Sequence, residues 1–463
     1  MSESVIVPGS FRDPNGFVFQ RAGQLYRQVN SRYRENYDLL MHSGLYDALA
    51  QTGLLVPHTE VGVQSAMTQD AYQVIQPTPI PFISYPYEWC FSQLKHAALL
   101  ILEVQKQALE FGMSLKDSSA YNVQFANGKP ILIDTLSLEK YCEGRPWIAY
   151  RQFCQHFLAP LALISHSDAR LLQLFRVYLD GIPLDLASTL LPLSTRVNLG
   201  LLWHVHLHAQ AQKRLAGLSV PSRQNRLERR AFLGLIENLK STIENLTWAP
   251  VSSQWRDYYA FSNYSAVALE DKRRVVSDML TQMTPAPKMV WDLGGNTGLF
   301  SRIASERGML TISLDLDPAA VEQNYRQVVK QRETTLLPLV LDATNPSPGL
   351  GWENRERMSL QERGPADLVL ALAFVHHLAI SNNLPFQKIA SFLSQIGRSL
   401  IIEFVPKDDP LVQRLLANRE DIFEQYNQDG FEHEFSRFFR ILDRKKIADT
   451  NRTLYLMARR SDQ

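Results

Sequence analysis

The sequence predicts an α/β architecture for the C-terminal half, with a mostly parallel, doubly wound sheet, preceded by an α+β domain and a helical linker. Three observations carry this. Strand-like and helix-like segments alternate from Met289 to about Phe404, as they must when parallel strands are joined by crossover helices. The first of those strands runs into an acid-and-glycine turn, DLGGNTG, at 292–298. The N-terminal half instead sets hairpin-like pairs around one long amphipathic segment.

At 463 residues the chain exceeds what one hydrophobic core usually organises, so at least two domains are expected. With 48 basic and 47 acidic residues no global field favours nucleic acid or an anionic membrane, and neither is expected as a partner. Cys90, Cys142 and Cys154 form no CxxC pair, which argues against a disulfide framework or a zinc knuckle and fits a reducing, cytoplasmic location. The start, MSESVIVPGSFRDPNG, lacks a basic region followed by an apolar core. No apolar run approaches the roughly 20 residues that span a bilayer. The sequence sets no oligomeric state.

In chain order, GFVFQRAGQLYRQV at 16–29 reads as two strands around a turn at Ala22-Gly23. Leu39, Leu40, Leu45 and Leu49 fall at helical spacing, Tyr72–Ile83 returns to strand-like residues broken by prolines, and Leu94–Glu110 is a long amphipathic helix. The loop LKDSSAYN follows, then VQF and PILID joined at Asn127-Gly128, a favoured hairpin dipeptide. Residues 150–212 are largely helical in pattern. Between Lys213 and Arg230 stand six basic residues and one acid, with Gly217 and Pro221, a composition suited to a solvated connection. These boundaries give domains at 1–212 and 255–463 with a basic helical linker at 213–254.

Asp117 and Asn122 are five apart, and Asp134 lies twelve further on across the hairpin. This spacing resembles the catalytic loop and metal-binding aspartate of protein-kinase-like and aminoglycoside-phosphotransferase-like enzymes. In them the first acid orients the acceptor hydroxyl, while the Asn and the second Asp hold magnesium. Several positions depart from that pattern. Leu115 replaces the usual histidine, Thr135-Leu136 replaces a Phe-Gly pair, the first hairpin lacks a glycine-rich phosphate loop, and Arg27 is the cation nearest in place to a strand lysine. A degenerate, kinase-like scaffold that binds an acceptor or partner is the expectation. His204, His206 and His208 share a turn without a nearby carboxylate, and are read as structural, with no metal expected.

In the C-terminal half, Gly294, Gly295 and Gly298 permit a sharp turn and close backbone approach to a ligand, ahead of a helix expected from about Leu299. Glycines alone do not separate a dinucleotide from another adenosyl cofactor. The acids discriminate. Asp292 stands two residues before the first glycine, where a pyrophosphate would be repelled and a ligand with ammonium and sulfonium groups accepted. A second strand, MLTISLD, ends at Asp315, suited to ribose hydroxyls. A third, LLPLVLD, ends at Asp342, within reach of an adenine amine. The run ADLVLALAFVHHL reads as a buried central strand.

Residues 288–405 thereby resemble the class I S-adenosylmethionine-dependent methyltransferase family, a Rossmann-like fold, with Asn296 where the family's middle glycine commonly stands. The resemblance implies S-adenosylmethionine as cofactor. It implies Asp292, Gly294, Gly295, Asn296, Thr297 and Gly298 near the methionine moiety, Asp315 at the ribose, and Asp342 with Ala343 near the adenine. Methyl transfer is an in-line displacement in which alignment and desolvation carry much of the catalysis. His376 and His377 follow the fourth strand, where a neutral imidazole takes a proton from an oxygen or nitrogen acceptor, or else packs locally. The absence of an Asn-Pro-Pro-Tyr-like tetrapeptide speaks against a DNA acceptor. VHHL resembles the corresponding segment of small-molecule methyltransferases, and a small-molecule or carbohydrate-type acceptor is expected. Glu403, Lys407, Asp408 and Asp409 are candidates for the rim of the cleft, and Trp255, Tyr258, Tyr259 and Tyr264 for a lid or a packing layer.

Over nearly its whole length the chain also resembles a group of bacterial two-part class I methyltransferases, through DPNGFVF, SLKDSSAYNVQF, ILIDTLS, AYRQFCQHFLAPLAL and EFVPKDDP. The function expected is methyl transfer with the N-terminal module aiding acceptor selection. The rival is a kinase-like nucleotide-binding protein whose methyltransferase fold senses S-adenosylmethionine.

Overall fold

The computed structural model describes residues 4–209, 228–249, 265–417 and 419–460. The chain divides into two compact units: Met1–Ala249 with Gly349–Arg357, and Pro250–Pro348 with Met358–Gln463.

The first unit opens on an antiparallel sheet of β1 (Ser4–Ile6), β2 (Gly16–Arg21), β3 (Gln24–Asn30), β4 (His58–Glu60) and β5 (Ala71–Pro77), in the order β1-β2-β3-β5-β4. The β2–β3 hairpin turns at Ala22 and Gly23, both at positive φ (52° and 76°), as a tight two-residue connection requires. Helices Arg34–His42 and Leu45–Gln51 lie in sequence between β3 and β4. Helix Phe91–Glu110 buries Leu94, Ala97, Ala98, Ile101, Val104 and Ala108, a continuous apolar stripe at helical spacing. It leads to two small ribbons: β6 (Met113–Leu115) pairs with β9 (Leu138–Lys140), and β7 (Val123–Ala126) pairs with β8 (Lys129–Leu132) across Asn127-Gly128.

Two features of this unit differ from the sequence expectation. Helix Arg229–Asn245, assigned above to the linker, is part of the unit. It buries Phe232, Ile236, Leu239 and Ile243, while Lys106 pairs with Glu237 and Lys95 donates to the carbonyls of Glu244 and Leu246. An apolar face at i, i+4, i+7 and i+11 needs a partner, and a solvated connection offers none. The segment Gly349–Arg357 also belongs here, with Glu356 accepting from Arg12 and the Arg357 guanidinium over the Tyr121 ring. Most of the basic stretch at 213–230 lies outside the described residues.

The second unit holds a seven-stranded sheet of β10 (Met289–Leu293), β11 (Leu310–Asp315), β12 (Leu336–Val340), β13 (Ala366–Ala371), β14 (Gly397–Phe404), β15 (Phe439–Lys446) and β16 (Thr453–Arg459). Its order is β12-β11-β10-β13-β14-β16-β15. The pairs from β12 to β14 are parallel, whereas β16 runs antiparallel to β14 and to β15. The expected alternation stopped near Phe404, so the β15–β16 hairpin is an addition. Its β15 is mostly exposed and charged, FRILDRKK, and carries little of the apolar signal that marks a strand. Helices Ala266–Gln282, Pro318–Gln331 and Phe386–Ile396 accompany the sheet, and Val275, Val276, Met279, Val290, Leu368, Leu370, Ile401 and Leu456 share one core. Chain order reverses between β10 and β13, the place where open α/β sheets bind ligands beyond their strand ends. Among the described residues no helix is long and apolar enough to cross a membrane.

Candidate functional site

Beyond the C-terminal ends of β10, β11 and β13 lies a cavity of about 290 Å³. Its lining includes Asp292, Gly294, Gly295, Asn296, Asp315, Asp342, Ala343 and His377. Eight positions separated by up to 85 residues in sequence thus meet at one switch point. Thr297, Gly298 and His376 are not in the lining.

The turn after β10 is held from β11. The N–H groups of Gly294 and Gly295 donate to the Leu314 carbonyl at 2.8 and 3.1 Å. Asp315 Oδ2 accepts from the Asn296 N–H at 2.8 Å, and its Oδ1 from the Asp317 N–H at 2.9 Å. Asp292 Oδ2 accepts from Ser301 Oγ at 2.6 Å, and Ser301 Oγ also contacts Ser313 Oγ at 3.0 Å. Burial raises the Asp292 carboxyl to about 6, with the Ser301 bond opposing and the Asp315 charge adding to the rise. Asp315 also rises to about 6 through burial, opposed by its two backbone N–H donors. Two such acids facing one cavity favour a ligand that brings cations or hydrogen-bond donors.

The glycines serve different ends. A Cβ on Gly294 would stand 3.0 Å from Phe374 Cδ2, at the cavity wall. Gly298, at φ +81°, answers to packing: a Cβ there would stand 2.5 Å from both Arg302 Nη1 and Asn324 Oδ1. The helix expected from about Leu299 begins at Ser301 and runs only to Ser305.

The two histidines part company. His377 lines the cavity, and burial lowers its imidazole to about 4, so it is neutral at ordinary pH. His376 is fully buried and neither ring nitrogen has a hydrogen-bond partner among the described residues. Glu403 is also not on the rim. It is fully buried, with Oε2 accepting from Lys272 Nζ at 2.6 Å and from the Ala373 N–H at 2.7 Å, and Arg452 Nη1 stands 3.4 Å from Oε1. Lys407 pairs with Asp421, Asp408 accepts from Asn451, and Asp409 caps helix Pro410–Leu416 while binding Arg452. The aromatic cluster at 255–264 lies outside the described residues.

Sequence reasoning missed Lys272, Phe300, Phe374, Leu378, Ser381 and Asn382 in the lining. For Lys272 a signal was present: Ala268, Lys272, Val275, Val276 and Met279 share the buried face of helix Ala266–Gln282, and a lysine on an apolar stripe demands a partner. Phe374, Ser381 and Asn382 carried none, because the turn at Leu372-Ala373 that aims them is not a periodic element.

In the first unit the structure gathers Asp117, Asn122, Asp134 and Arg27. Arg27 Nη1 is ion-paired with Asp134 Oδ1 at 2.7 Å, and burial followed by the Asp134 charge raises the Asp117 carboxyl. The histidines at 204–208 form no metal triad. His204 bonds Tyr150 and Asn238, His206 bonds Ser188 and Thr195, and His208 stacks on Tyr150.

No family model matches the chain. The nodulation protein NoeA of Rhizobium meliloti (strain 1021) is 38% identical over 464 residues, covering 98% of this chain and 96% of that protein. The chain belongs to the NoeA family. The match runs through both units of this chain. Among solved structures, the PH0226 protein of Pyrococcus horikoshii OT3 aligns with 44% of this NoeA relative and 98% of its own chain, at 15% identity and a TM-score of 0.32. The bifunctional kinase-methyltransferase WbdD aligns over 44% of this chain and 41% of its own, at 15% identity and a TM-score of 0.29.

Proposed function

We propose that the second unit transfers a methyl group from S-adenosylmethionine to a small-molecule acceptor, with the first unit aiding acceptor selection. One observation carries the reading: three acids at the ends of β10, β11 and just beyond β12, with a glycine turn, line a single cavity at the sheet's switch point.

The residues fit the cofactor by chemistry. An ammonium, a sulfonium, a ribose diol and an adenine amine are all cations or donors, and the cavity answers with carboxylates, Asp292 buried and Asp315 partly so. Asp292 with Gly294 to Asn296 would hold the methionine end, Asp315 the ribose, and Asp342 with Ala343 the adenine. When bound, the cofactor supplies an electrophilic methyl group on a sulfonium. The chain contributes alignment and exclusion of water, through walls built from Phe300, Leu314, Leu341, Leu372, Phe374 and Leu378. Lys272 also borders the cavity, but Glu403 balances its charge at 2.6 Å, which limits repulsion of a sulfonium. Neutral His377 is the imidazole in the cavity lining that would take the acceptor's proton.

Calorimetric titration with S-adenosylhomocysteine tests the reading. Binding to the full chain that is lost in Asp315→Ala supports it; a wild-type protein that binds no S-adenosylhomocysteine sinks it. Mass spectrometry of cell-extract metabolites incubated with a deuteromethyl donor then identifies the acceptor.

A further inference from the structure

In the first unit, the resemblance to kinase-like enzymes implies magnesium between Asn122 and Asp134. Magnesium demands near-octahedral oxygen ligands at about 2.0–2.1 Å, with carboxylate oxygens turned toward the ion. The oxygens of Asp134 are turned elsewhere. Its Oδ1 is ion-paired with Arg27 Nη1 at 2.7 Å and accepts from the Leu136 N–H at 2.9 Å, and its Oδ2 accepts from Ser137 Oγ at 2.7 Å. The Asn122 side chain donates toward Asp117 and toward Ser137 Oγ at 3.4 Å. Asp117 Oδ1 is already engaged by the Ser119 N–H at 2.9 Å and by Gln152 Nε2 at 2.8 Å. Among the described residues no group of three His, Cys, Asp or Glu side chains is arranged to hold a metal. The residues do not fit the ion.

We propose that Arg27 is the resident cation of this cluster, standing between Asp13 and Asp134 in place of a divalent ion, so that the first unit works without metal and without a metal-bound nucleotide. The geometry is specific. Arg27 lies on β3 and Asp134 just past β8, so the guanidinium ties the five-stranded sheet to the β7–β8 ribbon, and its Nη2 stands 3.8 Å from Asp13 Oδ2. Both members of the closer pair are largely buried, at 13% and 14% exposure. The guanidinium brings a positive charge to Asp134 at 2.7 Å, and a metal ion would have to displace it against that pair. Asp134 also caps the turn Thr135–Ser137 by accepting the Leu136 N–H, so its carboxylate holds the local backbone. Asp134, one of the two acids that suggest phosphoryl transfer in the sequence, thus belongs to an internal ionic tie.

The test uses the full chain. Manganese binding is followed by the loss of the free-ion electron paramagnetic signal, and thermal unfolding is measured with and without magnesium and ATP. The wild type is expected to leave the manganese signal unchanged at this site and to show no shift with magnesium-ATP. Arg27→Met, which frees the carboxylates, is expected to unfold at lower temperature and to regain stability with millimolar manganese, and Asp134→Asn in that background abolishes the rescue. Wild-type binding of manganese or magnesium-ATP that disappears in Asp134→Asn overturns the proposal. So does an Arg27→Met protein as stable as wild type and indifferent to manganese. If Arg27→Met does not fold, the wild-type titration, compared with Asp134→Asn to set aside ions bound elsewhere, decides alone.

Discussion

The ammonium of Lys272 lies 2.6 Å from Glu403 Oε2, with side-chain exposures of 2% and 0%. One partner comes from the helix ahead of the sheet and the other from β14, and both touch the cavity wall: Lys272 directly, Glu403 by fixing the Ala373 N–H. Ala373 has φ +49°, a left-handed conformation that a non-glycine residue adopts only when held. Burial disfavours the charged lysine, and the glutamate opposes that effect. Removing one partner leaves the other charged and buried. Lys272→Met or Glu403→Leu alone is therefore expected to cost about 3–5 kcal/mol in urea unfolding. The double variant should be less destabilised than the sum, and strict additivity would show that the pair does not couple.

The carboxyl of Asp292 is raised by burial to about 6. Its value in the unfolded chain is about 3.9, so the fold prefers it protonated: this stability is present below about pH 4 and is lost as pH rises to about 6. Asp292→Asn keeps an oxygen for Ser301 and is expected to be more stable than wild type by about 2 kcal/mol at pH 8. The difference should shrink toward pH 4. The same variant should bind S-adenosylhomocysteine more weakly. Equal stability at pH 8 would contradict the assigned burial.

His377→Ala is expected to lower turnover by about 10²–10⁴-fold while S-adenosylhomocysteine affinity stays close to wild type. Because burial holds the His377 imidazole at about 4, acidifying from pH 8 to 6 should not remove the base, and turnover controlled by it should stay flat. His376→Leu is expected to leave turnover intact and to keep or raise stability by about 1–3 kcal/mol, since it removes two buried ring nitrogens that lack partners. Turnover and thermal unfolding of the two variants side by side check both outcomes.

Gly298→Ala places a methyl 2.5 Å from Arg302 Nη1 and from Asn324 Oδ1 at a backbone φ of +81°. It is expected to destabilise the protein by more than about 1 kcal/mol. The Kd for S-adenosylhomocysteine, measured well below the unfolding transition, should change much less, since Gly298 is not in the cavity lining. A large affinity loss in a fully stable protein would return Gly298 to the ligand.

The parts of this molecule that could be read directly are those with a local physical cause. The hairpin turns at Ala22-Gly23 and Asn127-Gly128 follow from positive φ, helix Phe91–Glu110 from its apolar stripe, and the parallel strands from apolar runs ending in Asp292 and Asp315. Helix Arg229–Asn245 was misplaced in a linker because composition reports solvation and not which neighbour covers a face. β15 escaped notice because edge strands carry charge, and β16 because its pairing to β14 is long-range.

What the sequence determined by itself was the alternation of strands and helices up to Phe404 and the acids at three strand ends, since strand ends and glycine turns are encoded within a few residues. Only the tertiary structure separated His377 from His376, turned Glu403 inward to Lys272, and set Arg27 against Asp134. Each of those outcomes depends on the direction of a side chain and on a partner at least 100 residues away or across a turn, and charge interactions are decided by distance and burial, neither of which is local.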